Sequence, residues 1–144
     1  MKDWESKMKT YLVTGCAGFI GWKVSEFLLD DGHTLVGIDN LNDAYDVRLK
    51  QWRFEQLRGR PGFEFHRLDI CDQKTLSTFV GSLASREMPI DGVINLAARA
   101  GVRPSVDYPH LYFETNTTGA LNLLELCRQH GIRKFVQAST SSLY

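Results

Sequence analysis

Residues 10–21 read TYLVTGCAGFIG, and this stretch decides the fold. A short run rich in β-branched and aromatic residues ends at Thr14, and glycines follow at positions 15, 18 and 21. The first glycine permits a sharp turn, the second lets backbone approach a pyrophosphate, and the third lets a helix pack closely on the strand. A helix that begins here directs free N–H groups at phosphate. The stretch therefore predicts a strand, a phosphate-binding turn and a helix.

An acidic residue at the end of the next strand strengthens this interpretation, because glycines alone collect in many turns. The second predicted strand, residues 34–38, leads into Asp39, which lies 18 residues after Gly21. A carboxylate at this point can accept hydrogen bonds from both ribose hydroxyls of an adenosine and repels a 2′-phosphate. The pattern predicts NAD as the cofactor in preference to NADP. The alternative is an aspartate that only shapes a turn or caps a helix.

The rest of the chain alternates between helical and strand-like patterns. Ile20, Val24, Phe27 and Leu28 have helical spacing. After the second strand come predicted helices at 44–58, 76–83 and 120–131 and predicted strands at 63–68, 93–97 and 134–138. This alternation is typical of a doubly wound parallel sheet, the Rossmann architecture, with about five strands. We expect one α/β domain over residues 9–144, preceded by a disordered lead-in at residues 1–8.

Charge and hydropathy exclude several classes of partner. Seventeen basic residues balance seventeen acidic ones, so no net field favours nucleic acid. The apolar runs are only a few residues long, far below the roughly 20 needed to cross a bilayer. The amino terminus lacks the apolar stretch of a secretion signal. These features predict neither nucleic-acid binding nor membrane insertion.

The cysteines and histidines show no metal-binding or disulfide pattern. Cys16, Cys71 and Cys127 are widely spaced and odd in number, and no histidine lies at ligand spacing from them. We expect three reduced thiols and no metal. Reduced thiols favour a cytoplasmic location.

Five segments in order resemble the extended short-chain dehydrogenase/reductase family: TGCAGFIG, DNLNDAYDVRLK, LDICD, NLAARAGVR and ASTSSLY. The similarity extends over residues 9–144. Residues 40–50 and 100–103 are most similar to the NAD-dependent nucleotide-sugar epimerases of the UDP-glucuronate type. The resemblance implies cofactor contacts at the three glycines and at a further set of positions: Phe19 and Ile20 at the pyrophosphate, Asp39 and Asn40 at the ribose, Asp69 and Ile70 at the adenine, Leu96, Ala97 and Ala98 along the cofactor, and Asn116 near the nicotinamide.

The resemblance also implies two contacts with a nucleotide-sugar substrate. Thr140 matches the residue that hydrogen-bonds the sugar hydroxyl to be oxidised, and Arg103 is suited to a sugar carboxylate or a phosphate. Simpler alternatives exist: Thr140 lies in a Ser/Thr-rich run, and Arg103 fits a solvated loop. Asp69 and Asn116 fit helix caps as well as cofactor contacts.

One position departs from the family pattern. Asn95 stands where a histidine is common, just before Leu96. Asparagine keeps a donor and an acceptor but cannot titrate, so we expect altered local hydrogen bonding without loss of cofactor binding.

The family's reaction is a transient oxidation of the sugar at C4, followed by return of the hydride to the other face. It needs a tyrosine base and a lysine four residues later that lowers the tyrosine pKa. No Tyr-x-x-x-Lys occurs in these 144 residues. We expect an incomplete domain that lacks the C-terminal substrate region and is inactive alone. Alternatives are part of a nucleotide-sugar 4,6-dehydratase, in which a Thr-Asp-Glu trio replaces Thr140-Ser141-Ser142, or a non-catalytic NAD-binding module.

The predicted fifth strand has a consequence for assembly. Without a further strand beside it, residues 134–138 present an apolar sheet edge. We expect self-association through this edge, or a homo-oligomer of the kind common in the family.

Overall fold

The sheet consists of five parallel strands. In the computed structural model, which describes residues 8–140, they are β1 (Thr10–Thr14), β2 (Thr34–Asp39), β3 (Phe63–Arg67), β4 (Gly92–Asn95) and β5 (Phe135–Gln137). Their order across the sheet is β3-β2-β1-β4-β5. The chain therefore winds outward from β1 in both directions, which confirms the predicted Rossmann architecture. In such sheets ligands bind at the carboxyl edge where the winding reverses, here between β1 and β4.

Helices connect the strands and include every helix that the sequence predicted. They are α1 (Phe19–Asp30), α2 (Val47–Leu57), α3 (Gln73–Ser85), α4 (Val102–Asp107), α5 (Pro109–Phe113) and α6 (Gly119–His130), with a π-helical turn at Glu114–Thr118 between the last two. The predicted lead-in falls almost wholly outside the described residues. Between residues 8 and 140 no helix has both the length and the apolar character that a bilayer crossing requires.

One helix starts later than predicted, and two short helices were not predicted, in each case for local reasons. The second helix begins at Val47, later than the predicted residue 44, because the Asp46 side chain accepts a hydrogen bond from the Arg48 N–H at 2.9 Å and caps the helix there. Helices α4 and α5 were not predicted. Pro104 and Pro109 interrupt this region, and no residue of either helix is buried, so no apolar stripe marks them.

The core lies on both faces of the sheet. In β1, Leu12 faces a cluster that contains Leu76 of α3 and Leu123 of α6, whereas Val13 faces a cluster that contains Leu29 of α1 and Leu57 of α2. Successive residues of a strand point to opposite faces, so a sheet covered on both sides has continuous apolar runs. The runs noted in the sequence have this cause.

The buried face of α1 is offset from the predicted apolar stripe. Ile20 and Phe27 are 61% and 63% exposed, whereas Gly21, Ser25 and Leu29 are buried. The two small residues let the helix axis approach the strands, so close packing determines which side faces inward. The helix was predicted correctly, and Leu28 of the apolar stripe packs against the core, but Ile20 and Phe27 do not.

The fifth strand lies at one edge of the sheet and pairs with β4. Val136 in its centre is 58% exposed. Self-association through this strand stays a prediction.

Candidate functional site

A pocket opens at the carboxyl edge of the sheet, where the loops after four strands converge. The turn after β1 contributes glycines, the loops after β2 and β3 contribute carboxylates and amides, and the loop after β4 contributes small apolar residues. Of the predicted cofactor contacts, the pocket is lined by Gly15, Gly18, Asp39, Asn40, Asp69, Ile70, Leu96, Ala97 and Ala98. The structure thus brings together residues from four separate sequence motifs.

The glycine-rich turn after β1 leaves no room for a side chain at positions 15 and 21. Gly15 has φ +66°, and a Cβ built on it would lie 2.8 Å from the Ala97 nitrogen. A Cβ on Gly21 would lie 2.1 Å from the Gly15 carbonyl oxygen. Gly18 precedes α1 and provides no side-chain cap for the first N–H groups of the helix. An uncapped helix start beside a backbone-lined pocket fits the pyrophosphate of a dinucleotide.

Asp39 joins the end of β2 to this turn. Its side chain is buried, and one carboxylate oxygen accepts a hydrogen bond from the Ala17 N–H at 3.1 Å while the other accepts from the Leu41 N–H at 2.8 Å. Asp39 therefore shapes the local turn and also lines the pocket. The two roles that the sequence allows for Asp39, shaping a turn and binding a ribose, are therefore compatible.

Asn40 and Asp69 form the far wall of the pocket. The Asn40 amide donates to Asp69 at 2.8 Å, and the second carboxylate oxygen of Asp69 accepts from the Cys71 N–H at 2.8 Å. Burial opposes ionisation of Asp69, but these hydrogen bonds outweigh it and hold the Asp69 pKa below its usual value. The carboxylate is therefore an acceptor suited to an amine of a base.

A different residue caps the helix near Asp69. The Asp72 side chain accepts from the Thr75 N–H at 3.0 Å and caps α3. The alternative that Asp69 is only a helix cap is therefore wrong.

A buried polar network holds the loop after β4. The Thr14 hydroxyl accepts hydrogen bonds from the N–H groups of Leu96 and Ala97, both at 3.1 Å, and donates to the Asn95 side-chain oxygen. The Asn95 amide in turn donates to Gln137 of β5 at 2.8 Å. Asn95 thus uses both of its polar atoms to join β1, β4 and β5.

Asn116 lies inside the π-helical turn and not at a helix start. Its side-chain oxygen accepts from the Arg99 N–H at 2.8 Å, and its amide donates to the Arg99 carbonyl at 3.0 Å. The helix N-cap alternative is therefore wrong. Asn116 fixes the backbone of the loop after β4, and its neighbour Thr115 lines the pocket.

The remaining predicted residues lie outside the pocket lining. Phe19 and Ile20 are exposed in the first turn of α1, and Gly21 packs beneath the phosphate turn. Arg103 is exposed on α4, and Thr140 follows β5 on the same edge of the sheet. Ser141, Ser142 and Tyr144 lie outside the described residues.

Sequence reasoning missed one charged residue of the pocket. Lys50 of α2 is only 6% exposed, and its ammonium donates to the Asn42 side-chain oxygen at 2.9 Å. Burial lowers the Lys50 pKa, and nearby Asp39 partly opposes this effect. Lys50 shares one helical face with Phe54 and Leu57, but a lysine next to such a face is ordinarily solvent-exposed, so the pattern alone does not place it in a pocket.

The cysteines are free thiols. Burial is the main cause that raises the pKa of Cys71 to about 12, and it raises the pKa of Cys16 as well. Both are therefore uncharged at neutral pH and poor nucleophiles. No cluster of three or more metal-ligating side chains occurs between residues 8 and 140.

Comparisons with known proteins agree with this geometry. The family model described as GDP-mannose 4,6 dehydratase matches residues 12–144. UDP-glucuronate 4-epimerase of Thermodesulfobacterium geofontis is 52% identical, with 95% of this chain and 41% of that protein covered. The structure of Bacillus cereus UDP-glucuronic acid 4-epimerase with UDP-glucuronic acid and NAD matches at 34% identity and a TM-score of 0.78, with 94% of this chain and 41% of that chain covered.

A second solved structure gives the same result. Thermus thermophilus UDP-glucose 4-epimerase in complex with NAD is 40% identical, with a TM-score of 0.73 and with 91% of this chain and 37% of that chain covered. The chain therefore spans about two fifths of the length of the relatives that it matches.

Proposed function

This chain belongs to the GDP-mannose 4,6 dehydratase family, the epimerase/dehydratase type of short-chain dehydrogenase/reductase, and we propose that it forms the NAD-binding part of a nucleotide-sugar 4-epimerase. The observation that carries this proposal is the pocket at the carboxyl edge of the sheet. It combines the backbone-lined phosphate turn with Asp39 and Asp69, which suits an adenine dinucleotide. The solved relatives that contain NAD support the choice of cofactor.

Different residues of this chain bind different parts of the dinucleotide. Gly15, Gly18 and the start of α1 receive the pyrophosphate, Asp39 accepts from the adenosine ribose, and Asp69 accepts from the adenine amine. The small side chains of Ala97 and Ala98 leave space for the cofactor beside Leu96 along the edge of β4. Bound NAD would accept a hydride from the C4 carbon of a sugar.

The substrate side of the site is less complete. We propose that Thr140 hydrogen-bonds the sugar hydroxyl that is oxidised, since it follows β5 on the pocket edge of the sheet. Arg103, exposed on α4, is proposed to bind a carboxylate or phosphate of the nucleotide sugar. UDP-glucuronate is the favoured substrate, because a 52% identical relative is a UDP-glucuronate 4-epimerase.

A base for the reaction is not among these residues. A tyrosine with a lysine four positions later would provide it, and the 144 residues contain no such pair. We propose that this chain binds cofactor but does not turn over substrate alone, and that it works in the cytoplasm as part of a homo-oligomer.

Two other functions have less support. The matching family model is described as a dehydratase, but Ser141 and Ser142 stand where that class has an acidic pair. A non-catalytic NAD-binding module would use the same pocket. Turnover of UDP-glucuronate to its C4 epimer by the whole protein would separate this module from an epimerase.

The first test is the cofactor preference of the 144-residue chain. We expect NAD to bind at least about tenfold more tightly than NADP, because a 2′-phosphate would meet the Asp39 carboxylate. Quenching of the fluorescence of Trp22 on α1 and Trp52 on α2, whose rings meet edge to face, gives both affinities. Equal affinities would contradict the assignment of Asp39, and no saturable binding of either nucleotide would contradict the proposed function.

A further inference from the structure

Lys50 is the one buried cation in the part of the chain that the structure describes, and it lies inside the pocket. Lys50 belongs to helix α2, and Phe54 and Leu57 lie on the same face of this helix. Burying an ammonium is costly unless it is well paired, so its position requires an explanation.

The partners of Lys50 within the protein are few. Its ammonium donates to Asn42 at 2.9 Å and lies 3.8 Å from the nearer Asp39 carboxylate oxygen, too far for a hydrogen bond. The Tyr45 ring centre is 5.0 Å away. An ammonium has three N–H donors, and the hydrogen bonds among residues 8–140 use one of them. Two donors are therefore left for a ligand in the pocket.

The position of these donors indicates which part of a ligand they would meet. Asp39 is the proposed acceptor for the adenosine ribose hydroxyls, and Lys50 lies beside the same carboxylate. Each hydroxyl has lone pairs as well as a proton, so a carboxylate and an ammonium together can satisfy both roles. The negative charge of Asp39 also balances the positive charge of Lys50. While Asp39 is ionised, its repulsion of a 2′-phosphate offsets the attraction of that phosphate to the ammonium.

We propose that Lys50 is a specificity-determining residue of the adenosine ribose site: it donates to a ribose hydroxyl when Asp39 is charged, and it would bind a 2′-phosphate if that charge were removed. This inference rests on the proposed NAD site. It assigns the NAD preference to the Asp39–Lys50 pair and not to Asp39 alone.

The test compares NAD and NADP affinities of the 144-residue chain and its variants at neutral pH. Asp39→Asn keeps the size of the side chain and removes its charge, and we expect it to improve NADP affinity relative to NAD by at least about tenfold. Adding Lys50→Met should abolish this gain, whereas adding Lys50→Arg should keep it. Lys50→Met alone should weaken NAD binding by about tenfold.

The control variant is Lys134→Met. Lys134 is exposed just before β5, at the amino edge of the sheet and away from the pocket, so its loss should leave both affinities unchanged. Circular dichroism establishes that each variant is folded. A purely structural Lys50 would alter NAD and NADP affinities equally. If Asp39→Asn with Lys50→Met retains the NADP gain, the inference is overturned while the NAD site stands. A wild-type chain that binds neither nucleotide overturns both.

Discussion

Replacement of Gly21 by alanine should lower the free energy of unfolding by about 3 kcal/mol. The added Cβ would lie 2.1 Å from the Gly15 carbonyl oxygen and 2.8 Å from the carbonyl carbon. Both are backbone atoms of the phosphate turn, so relief requires α1 to move away from β1. The same movement would open the turn, and NAD binding should be lost with the stability. Urea unfolding followed by circular dichroism measures the first effect.

The matched control is the same substitution at Gly81. This glycine lies inside α3, and the nearest atom to its added Cβ is 3.9 Å away, on His130. Alanine is the better helix former, so Gly81→Ala should raise the free energy of unfolding by about 0.5–1 kcal/mol. Opposite signs for the two variants are expected. Equal unfolding midpoints would show that α1 does not pack on the turn as described.

Replacement of Thr14 by valine should have an effect of similar size. The substitution conserves shape but removes the hydroxyl that accepts from the Leu96 and Ala97 N–H groups and donates to Asn95. Thr14 is fully buried, so water cannot replace it. Each buried polar group that loses its partner costs about 1–3 kcal/mol, and we expect a total loss of about 3 kcal/mol.

Thr10→Val is the control for this change. Thr10 lies at the start of the same strand, half-buried, and its hydrogen bonds with Asp91 are made by its backbone N–H and carbonyl and not by its hydroxyl. Its replacement should change the free energy of unfolding by less than about 0.5 kcal/mol. A Thr14→Val chain as stable as the Thr10→Val chain would contradict the role given to the network.

The strands, most helices and the pocket could be predicted because each leaves a local signal. Strand β1 and its glycines form a contiguous pattern, and Asp39 follows at a spacing that the βαβ unit imposes. Gly131 ends α6 with φ +67°, and a glycine after an apolar helical stripe is a direct signal in the sequence for such a helix end. Asp69 and Leu96 needed the family resemblance, since nothing in their immediate neighbours shows that their loops converge.

The features that could not be predicted depend on tertiary contacts. Lys50 is buried because α2 turns one polar position toward the pocket, and composition alone places a lysine in solvent. Asn116 forms hydrogen bonds with the backbone of Arg99, 17 residues away, so the residues next to Asn116 in the sequence do not indicate this role. The inward face of α1 follows from the close approach of Gly21 to Gly15, which outweighs the apolar pattern at Ile20.

The most direct test of the central claim is to map NAD on the isotopically labelled chain by ¹⁵N–¹H correlation spectra. We predict saturable shifts that cluster at the amides of Gly15, Gly18, Asp39, Asp69 and Ala97, with little change on the amino edge of the sheet around Gly92 and Lys134. A folded chain whose amides show no saturable shift with NAD, or whose shifts centre on α4 and α5, would contradict the assignment of this pocket as the dinucleotide site.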